Sequence, residues 1–258
     1  MRKFAPPVLF LVLFAGSAGN ALAQGMPTSQ PGILTIFFEE VKVGMEADHE
    51  ANEAGWPAAH AKANSPYYYM ALESMTGSSP VWYLSPYESF SAEGESMKQV
   101  ASDPALSAEL DRLWRADGQY LDAARNIQAI ARPELSHGEF PDLAMVRFYD
   151  ITMVRIRLGH QAGWENAARL YMEQARRAAP QMSYRIYQVI TGMPDGYFLI
   201  FSAVEDYADF DSLMAKGMAM GENVSPEVMA TMEHFMVNDA KSFITHRFRV
   251  SPTMSYVS

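Results

Sequence analysis

Two acidic residues inside apolar stretches are the first candidates for chemistry in this chain. Glu39 lies in ILTIFFEEVKV and Asp150 lies in AMVRFYDITMVRIRL, and both stretches are rich in β-branched and aromatic residues. Burial raises the pKa of a carboxyl group, so either acid could act as a general base on a phenol or an enol. The alternative role is a structural ion pair with Arg147 or Arg247.

A histidine near the C-terminus is the second catalytic candidate. His246 lies in FITHRFRV, where it shares a predicted strand face with Phe248 and Val250 while Arg247 points to the opposite face. Imidazole titrates near neutral pH and can transfer protons, although a hydrogen-bonded core histidine has the same pattern. We predict Asp150 and His246 as catalytic residues, with a packing role as the alternative.

Aromatic residues in the predicted strands are candidates for stacking on a planar ligand, with ordinary core packing as the alternative. Together with nearby polar residues they define a predicted ligand-binding set. The set is Glu39, Trp82, Arg147, Tyr149, Tyr184, Tyr187 and Arg247.

The histidine and cysteine content gives no metal signal. The chain has six histidines but no H-x-x-x-H or H-E-x-x-H spacing, and it has no cysteine, which excludes disulfides and thiolate zinc sites. We therefore predict no metal and no cofactor. The alternative is a haem held by one histidine, with His49, His160 and His234 as candidates, in a roomy apolar cavity.

The net charge bears on possible partners. The 258 residues carry a formal charge of −10, and no basic cluster interleaved with aromatic residues interrupts it. Since an acidic surface repels phosphate backbones, we predict a small-molecule partner and no nucleic acid. Monomer and homodimer both remain open.

The N-terminal residues have the pattern of a secretory signal peptide. Arg2 and Lys3 precede an apolar run, and Ala21-Leu22-Ala23 has the A-x-A form of a cleavage site. A membrane anchor is the alternative, but Gly16 and Gly19 break the run below the length that a bilayer requires. We predict cleavage after Ala23, a periplasmic or secreted protein, and no membrane insertion after cleavage.

The remaining chain contains one pattern of elements twice. Each copy has the predicted order β-α-β-β-α-β, with hairpin turns at TGSSP and TGMPDG. We predict a flexible segment at 24–32, a first repeat at 33–136, a linker at 137–142, a second repeat at 143–252 and a tail at 253–258.

Several landmarks recur in the two copies. Phe37-Phe38-Glu39 aligns with Phe148-Tyr149-Asp150, and the Gly77 turn aligns with the Gly192 turn. Periodicity predicts a helix at about 103–125 and apolar helix stripes. The stripes are Trp164, Ala167, Tyr171, Ala175 and Ala178, and Met229, Met232, Met236 and Ala240.

The element order is that of the split βαβ, or ferredoxin-like, unit. Through the phrase VRIRLGHQAGW and the hairpin YRIYQVITG…GYFLIF, the chain resembles the dimeric α+β barrel superfamily, which includes antibiotic-biosynthesis monooxygenase-like and NIPSNAP-like proteins. The resemblance implies an α+β fold in which two tandem ferredoxin-like repeats form an intramolecular barrel. Its members include cofactor-free oxygenases, haem enzymes and proteins without known chemistry, so it does not select a reaction.

These observations predict a barrel that binds a small hydrophobic or aromatic molecule in an interior pocket. The first alternative is a cofactor-independent, monooxygenase-like enzyme that uses an acid or histidine base. A haem-binding barrel enzyme is the second alternative.

Signal cleavage gives a direct test. The protein isolated from its own host should begin at Gln24, because the A-x-A site ends at Ala23. Intact-mass measurement and N-terminal peptide mapping check this expectation. Recovery of peptides from residues 1–23 in the purified protein would contradict it.

Overall fold

The computed structural model describes residues 26–222 and 224–257. The predicted signal peptide at residues 1–23 lies outside the described residues, as do Gln24 and Gly25 of the predicted flexible segment. None of the helices in the described ranges is long and apolar enough to cross a membrane.

Eight strands in the described part of the chain form one closed antiparallel barrel. They are β1 (Ile33–Val41), β2 (Tyr69–Ser74), β3 (Pro80–Tyr87), β4 (Leu121–Ala131), β5 (Phe148–Ile156), β6 (Arg185–Thr191), β7 (Tyr197–Val204) and β8 (Ala240–Tyr256). Their order around the barrel is β1-β3-β2-β8-β5-β7-β6-β4, and β4 pairs with β1 to close it. The predicted combination of an α+β fold with a barrel is confirmed at this level.

Helices follow the first and third strand of each half. They are α1 (Glu46–Glu53), α2 (Gly55–Lys62), α3 (Phe90–Ser102), α4 (Pro104–Asp117), α5 (Gln161–Ala178), α6 (Asp209–Glu222) and α7 (Pro226–His234), the last followed by a π-helical turn (Phe235–Asp239). Their apolar faces pack on the outer face of the barrel, where Val154 and Phe198 contact Trp164 of α5. Side-chain caps fix three helix starts, with Ser89 before α3, Asp103 before α4 and Ser225 before α7.

The barrel interior is largely filled by side chains. Trp82 and Phe248, whose rings are 5.2 Å apart, are nearly or fully inaccessible, as are Ile36 and Leu199. The interior retains a cavity of about 70 Å³, which Tyr149 lines. This volume is well below the ~150 Å³ of a cavity that accepts benzene. The barrel interior therefore lacks the roomy cavity that the haem alternative requires, because large aliphatic and aromatic residues from both halves meet there.

The predicted helix at about 103–125 is too long. Helix α4 ends at Asp117, and β4 begins at Leu121. Ala124 pairs with Glu39 of β1, so tertiary strand pairing overrides the helix propensity of the segment around Arg125.

The prediction that the methionine stripe packs in the core is wrong. Met229 and Met236 are 55% and 51% exposed, and Ala240 already belongs to β8. Helix α7 changes to π-helical hydrogen bonding after His234, which alters the angular spacing on which the stripe depended. In the other predicted stripe, Trp164, Ala167 and Ala175 are buried as expected, whereas Tyr171 is 41% exposed.

The register of the strands corrects one predicted correspondence between the halves. Glu39 lies opposite Val81, the second residue of β3, and Val154 lies opposite Phe198, the second residue of β7. Glu39 thus corresponds to Val154, and its predicted match with Asp150 is wrong. Strand alternation has a period of two, so a shift of about four residues leaves the sequence pattern unchanged.

The two hairpin turns are confirmed where the sequence placed them. Gly77 and Gly192 have φ values of 81° and 83°, a region that favours glycine. At Gly192 an added Cβ would overlap the backbone carbonyl of Asn126.

This overlap predicts the effect of alanine at two glycines with similar backbone angles. Gly44 has a φ of 86° but no atom near the position of an added Cβ, so Gly44→Ala should cost about 1–2 kcal/mol of unfolding free energy. Gly192→Ala should cost a further 1–3 kcal/mol, roughly, because the added methyl group meets fixed backbone. Urea denaturation of both variants measures the difference, and equal losses would show that the turn moves freely.

Candidate functional site

A cavity of about 770 Å³ lies between the outer face of the first-half strands and the helices α1 to α4. Its size is typical of small-molecule binding sites. The residues that line it are Thr35, Phe37, Glu39, Glu53, Trp56, His60, Tyr67, Tyr69, Tyr83, Ser85, Tyr87, Glu93, Ser96, Met97, Val100, Ala101, Ser107, Leu110, Trp114 and Asn126.

The corresponding space in the second half is filled. Trp164 packs with ring centroids 5.0 Å from Phe198 and 5.5 Å from Phe235. In the first half, Val81 occupies the strand position of Phe198. Val81 contributes no ring there, so the aromatic cluster of the second half is not repeated at that strand position.

One wall of the cavity is a stack of aromatic rings. His60 stacks between Tyr67 and Tyr256, with centroid distances of 5.1 Å and 5.3 Å. Burial lowers the pKa of His60 to about 4, so the ring is neutral at pH 7. The Tyr67 hydroxyl lies 2.8 Å from the hydroxyl of Ser85, which fixes the tyrosine ring against the cavity.

The cavity reaches solvent beside α3 and α4. Met97 and Trp114 line it and are 61% and 41% exposed. The Trp114 ring also meets Phe37 edge to face at 5.5 Å. A ligand entering from solvent would therefore pass an apolar mouth.

A buried carboxylate holds polar groups in the cavity wall. Glu93 is 4% exposed and accepts hydrogen bonds from Thr35 at 2.6 Å and from Gln128 at 2.9 Å. These bonds satisfy the carboxylate without a basic residue.

Four ionisable side chains meet at the floor of the cavity, and we call them the carboxylate–histidine cluster. They are Glu39 on β1, His49 and Glu53 on α1, and Asp117 at the end of α4, and all are buried. His49 Nε2 lies 2.9 Å from Glu39 Oε2 and 3.8 Å from Asp117 Oδ1. One donor atom from each residue falls within 4.8 Å of the others, so the cluster could hold a metal ion.

The cluster concentrates negative charge in an apolar setting. Burial, followed by the charges of Glu39 and Asp117, raises the pKa of Glu53 to about 9. Burial and the charge of Glu39 raise the pKa of Asp117 to about 7, although His49 acts in the opposite direction. Glu53 therefore retains its proton at neutral pH unless a cation compensates the charge of the cluster.

Only one of the two carboxylate oxygens of Asp117 accepts a hydrogen bond from a described residue. Asn52 donates a hydrogen bond of 3.2 Å to Oδ1 of Asp117. The other carboxylate oxygen, Oδ2, is buried and has no hydrogen-bond partner among the described residues.

The two predicted catalytic residues lie on opposite faces of the barrel wall. Asp150 faces Arg247 across the β5–β8 pair, and Ile151 faces His246. Asp150 accepts hydrogen bonds of 2.8 Å and 2.9 Å from Arg247, whose guanidinium lies 3.4 Å from the centre of the Phe210 ring. This geometry supports the structural ion pair, while the predicted catalytic roles stay predictions.

The predicted ligand-binding residues are dispersed. Tyr149 and Tyr187 line the small cavity in the barrel, and Trp82 is part of the packed interior. Tyr184 packs in the core of the second half, and Arg147 donates to backbone carbonyls nearby in sequence. Glu39 is the member of the predicted set that lines the large cavity.

Sequence reasoning missed Glu53 and Asp117, and it named His49 only as a candidate haem ligand. The spacing of His49 and Glu53 is H-x-x-x-E, which places both side chains on one face of α1. That spacing was a usable signal, but Asp117 joins them only through the packing of α4 against α1.

Haem does not fit the large cavity. The described lining includes the carboxyl groups of Glu39, Glu53 and Glu93 and contains neither lysine nor arginine. The two propionates of haem carry negative charge, which this lining would repel. We derive no haem chemistry for the site.

Comparison with known proteins identifies similar folds only. No family model and no curated protein sequence matches this chain. A candidate monooxygenase of Fusobacterium nucleatum matches with a TM-score of 0.57 at 9% identity, covering 86% of this chain and 93% of its own. A candidate monooxygenase of Lactobacillus acidophilus has a TM-score of 0.52 at 10% identity, covering 89% and 100%.

A mutant chlorite dismutase of Candidatus Nitrospira defluvii has a TM-score of 0.51 at 11% identity, covering 87% of this chain and 94% of its own. At such identities the likeness shows a shared α+β barrel fold and leaves the reaction open.

The raised pKa values of the cluster predict a pH dependence of stability. In metal-free protein, folded Glu53 keeps a proton up to pH about 9, while the unfolded chain loses it above its ordinary value of 4.5. The free energy of unfolding should therefore fall as the pH rises through this window, by at most ~1.4 kcal/mol per pH unit for this group.

Glu53→Gln removes the titrating group and should flatten this slope, whereas Glu109→Gln on the exposed face of α4 should leave it unchanged. Urea denaturation in chelator between pH 5 and 9 measures all three proteins. A wild-type stability that rises with pH across this range would contradict the assignment.

Proposed function

We propose that this protein binds a small aromatic molecule, uncharged or positively charged, in the large cavity under the first-half helices. The observation that supports it is a cavity of about 770 Å³ whose walls combine aromatic rings with buried carboxyl groups.

The aromatic walls favour a flat ligand. Tyr69 and Tyr83 line the cavity with ring centroids 6.0 Å apart, and Trp56 and Trp114 add indole surface. Aromatic rings stack on planar ligands or meet them edge to face, which contributes roughly 0.5–1.5 kcal/mol per pair beyond area burial.

The charge of the lining selects among aromatic ligands. Glu39 and Glu93 lie in the wall, and no lysine or arginine stands among the described lining residues to receive an anion. A ligand cation would gain both from these carboxylates and from the faces of the aromatic rings. A ligand anion would lose its hydration without receiving a partner.

Monooxygenase-like turnover of the ligand stays the enzymatic alternative predicted from the sequence. Mass spectrometry of the ligand after incubation with the protein in air separates the two functions. An oxygenated product favours the enzyme, and unchanged ligand favours binding alone.

Two inferences about origin and location complete the proposal. We infer that two ferredoxin-like units were fused into one chain of the dimeric α+β barrel superfamily, which the matching order of elements in the two halves supports. We also infer a periplasmic or secreted protein, which rests on the signal pattern at residues 1–23.

Three ligands of the same ring but different charge test the proposed specificity. By calorimetry, tyramine and 4-methylphenol should bind, and 4-hydroxyphenylacetate should bind at least about tenfold more weakly, a difference of ~1.4 kcal/mol. Equal or stronger binding of the anion would refute the charge argument.

A pair of variants tests which of the two cavities binds the ligand. Ser96→Phe places a ring in the large cavity and should reduce tyramine affinity about tenfold or more. Ala203→Leu narrows the small barrel cavity and should leave the affinity unchanged. The reverse result would place the ligand in the barrel interior.

A further inference from the structure

The carboxylate–histidine cluster has the composition and spacing of a metal site. Glu39, His49, Glu53 and Asp117 come from three separate elements and converge below the cavity. Each offers one donor atom, and these atoms lie within 4.8 Å of one another.

Two distances between donor atoms are close to the range found between ligands of one small ion. At metal–ligand distances of about 2.0–2.2 Å, adjacent ligands of an octahedral ion are about 3 Å apart and opposite ones about 4.2 Å. His49 Nε2 and Glu39 Oε2 share a hydrogen bond of 2.9 Å in the metal-free arrangement, and the same separation fits adjacent ligands of an ion. The 3.8 Å from His49 Nε2 to Asp117 Oδ1 falls between the two values.

A second observation is independent of this spacing. Asp117 is fully buried, and its Oδ2 has no hydrogen-bond partner in residues 26–222 and 224–257. A buried carboxylate oxygen without a partner costs free energy, and native structures rarely leave one unexplained. A cation between Asp117 and the other three side chains would supply the missing partner.

The second half shows what a purely structural arrangement looks like. His160 Nδ1 lies 2.6 Å from Asp239 Oδ1 where α5 begins and the π-helical turn ends. Val154 occupies the strand position that corresponds to Glu39. One histidine–carboxylate pair thus suffices to join the start of α5 to the π-helical turn. In the first half the hydrogen-bonded pair of His49 and Glu39 is joined by two further carboxyl groups, which such a pair does not require.

The ion would be accessible from the ligand cavity. Glu39 and Glu53 line that cavity as well as the cluster. The cavity therefore provides an entry path, which a buried metal site requires.

The donor set selects a class of metal. One imidazole nitrogen and three carboxylate oxygens suit divalent first-row transition ions, whereas magnesium and calcium favour all-oxygen sites. We propose that Glu39, His49, Glu53 and Asp117 bind one divalent transition-metal ion, such as Mn²⁺ or Zn²⁺, at the floor of the cavity. This site is additional to the proposed aromatic ligand and does not depend on it.

Metal titration of chelator-treated full-length protein tests the proposal. We expect calorimetry and equilibrium dialysis to give one bound equivalent of Mn²⁺, together with a metal-induced rise in melting temperature. Mg²⁺ and Ca²⁺ at the same concentrations should not bind. Equal binding of Mg²⁺ or Ca²⁺ would overturn the assigned metal class, and failure of folded, metal-free protein to bind Mn²⁺ and Zn²⁺ would overturn the site.

Variants locate the ion. Glu39→Gln and Asp117→Asn should each weaken Mn²⁺ binding by more than about tenfold, because each removes a charged ligand. His160→Gln disrupts the corresponding pair in the second half and should leave Mn²⁺ binding unchanged. If Mn²⁺ or Zn²⁺ binds instead to the exposed His160 region, His160→Gln loses it and Glu39→Gln retains it, which refutes the proposed site.

Two further controls separate metal binding from folding defects and from binding of the aromatic ligand. If Glu39→Gln or Asp117→Asn fails to fold by circular dichroism, Glu53→Gln carries the test, since it replaces the carboxyl group with an uncharged amide of the same size. Full Mn²⁺ affinity in folded Glu53→Gln would refute its role as a ligand. Tyramine binding in chelator reports on the aromatic proposal alone, so either proposal can fail while the other holds.

Discussion

Closure of the barrel is the constraint on which the rest of this structure depends. Strands β2 and β8 pair at one seam, as at Ala71 and Ser251, and β4 and β6 pair at the other, as at Ala129 and Val189. Each seam joins a strand of one half to a strand of the other, so neither sheet has a free edge. One face of every strand then points into a shared interior, which packing fills, and the helices must cover the outer faces. Space for a ligand larger than a few waters therefore arises between sheet and helices.

The two halves use that outer layer differently. In the second half, Trp164, Phe198 and Phe235 pack into a continuous core, and the Asp150–Arg247 ion pair lies beside Phe210. In the first half, aromatic rings and buried carboxyl groups line a large cavity instead. The same arrangement of elements thus provides stability on one side and a site on the other, consistent with function residing in a site rather than in a fold.

Burying the carboxylate–histidine cluster costs free energy of folding. Three carboxyl groups and an imidazole are removed from water, and burial with mutual repulsion raises the pKa values of Glu53 and Asp117. Packing alone does not call for this arrangement, since Val154 serves at the position that corresponds to Glu39. Either retained protons or a bound cation must offset the repulsion, and both link the chemistry of the site to the stability of the fold.

The sequence by itself predicted the order of the eight strands and the two glycine turns, because alternation and turn residues are local signals. The α+β barrel was implied by the family resemblance, and helix α3 was not predicted. The sequence also identified Glu39 as an unusual acid within an apolar strand. Only the tertiary structure decided the register that separates Glu39 from Asp150, the end of the helix before β4, and the exposure of Met229. It alone brought Asp117 to His49, 68 residues away, and opened the cavity above them. Such contacts depend on how distant surfaces pack, and packing leaves no periodic signal in the chain.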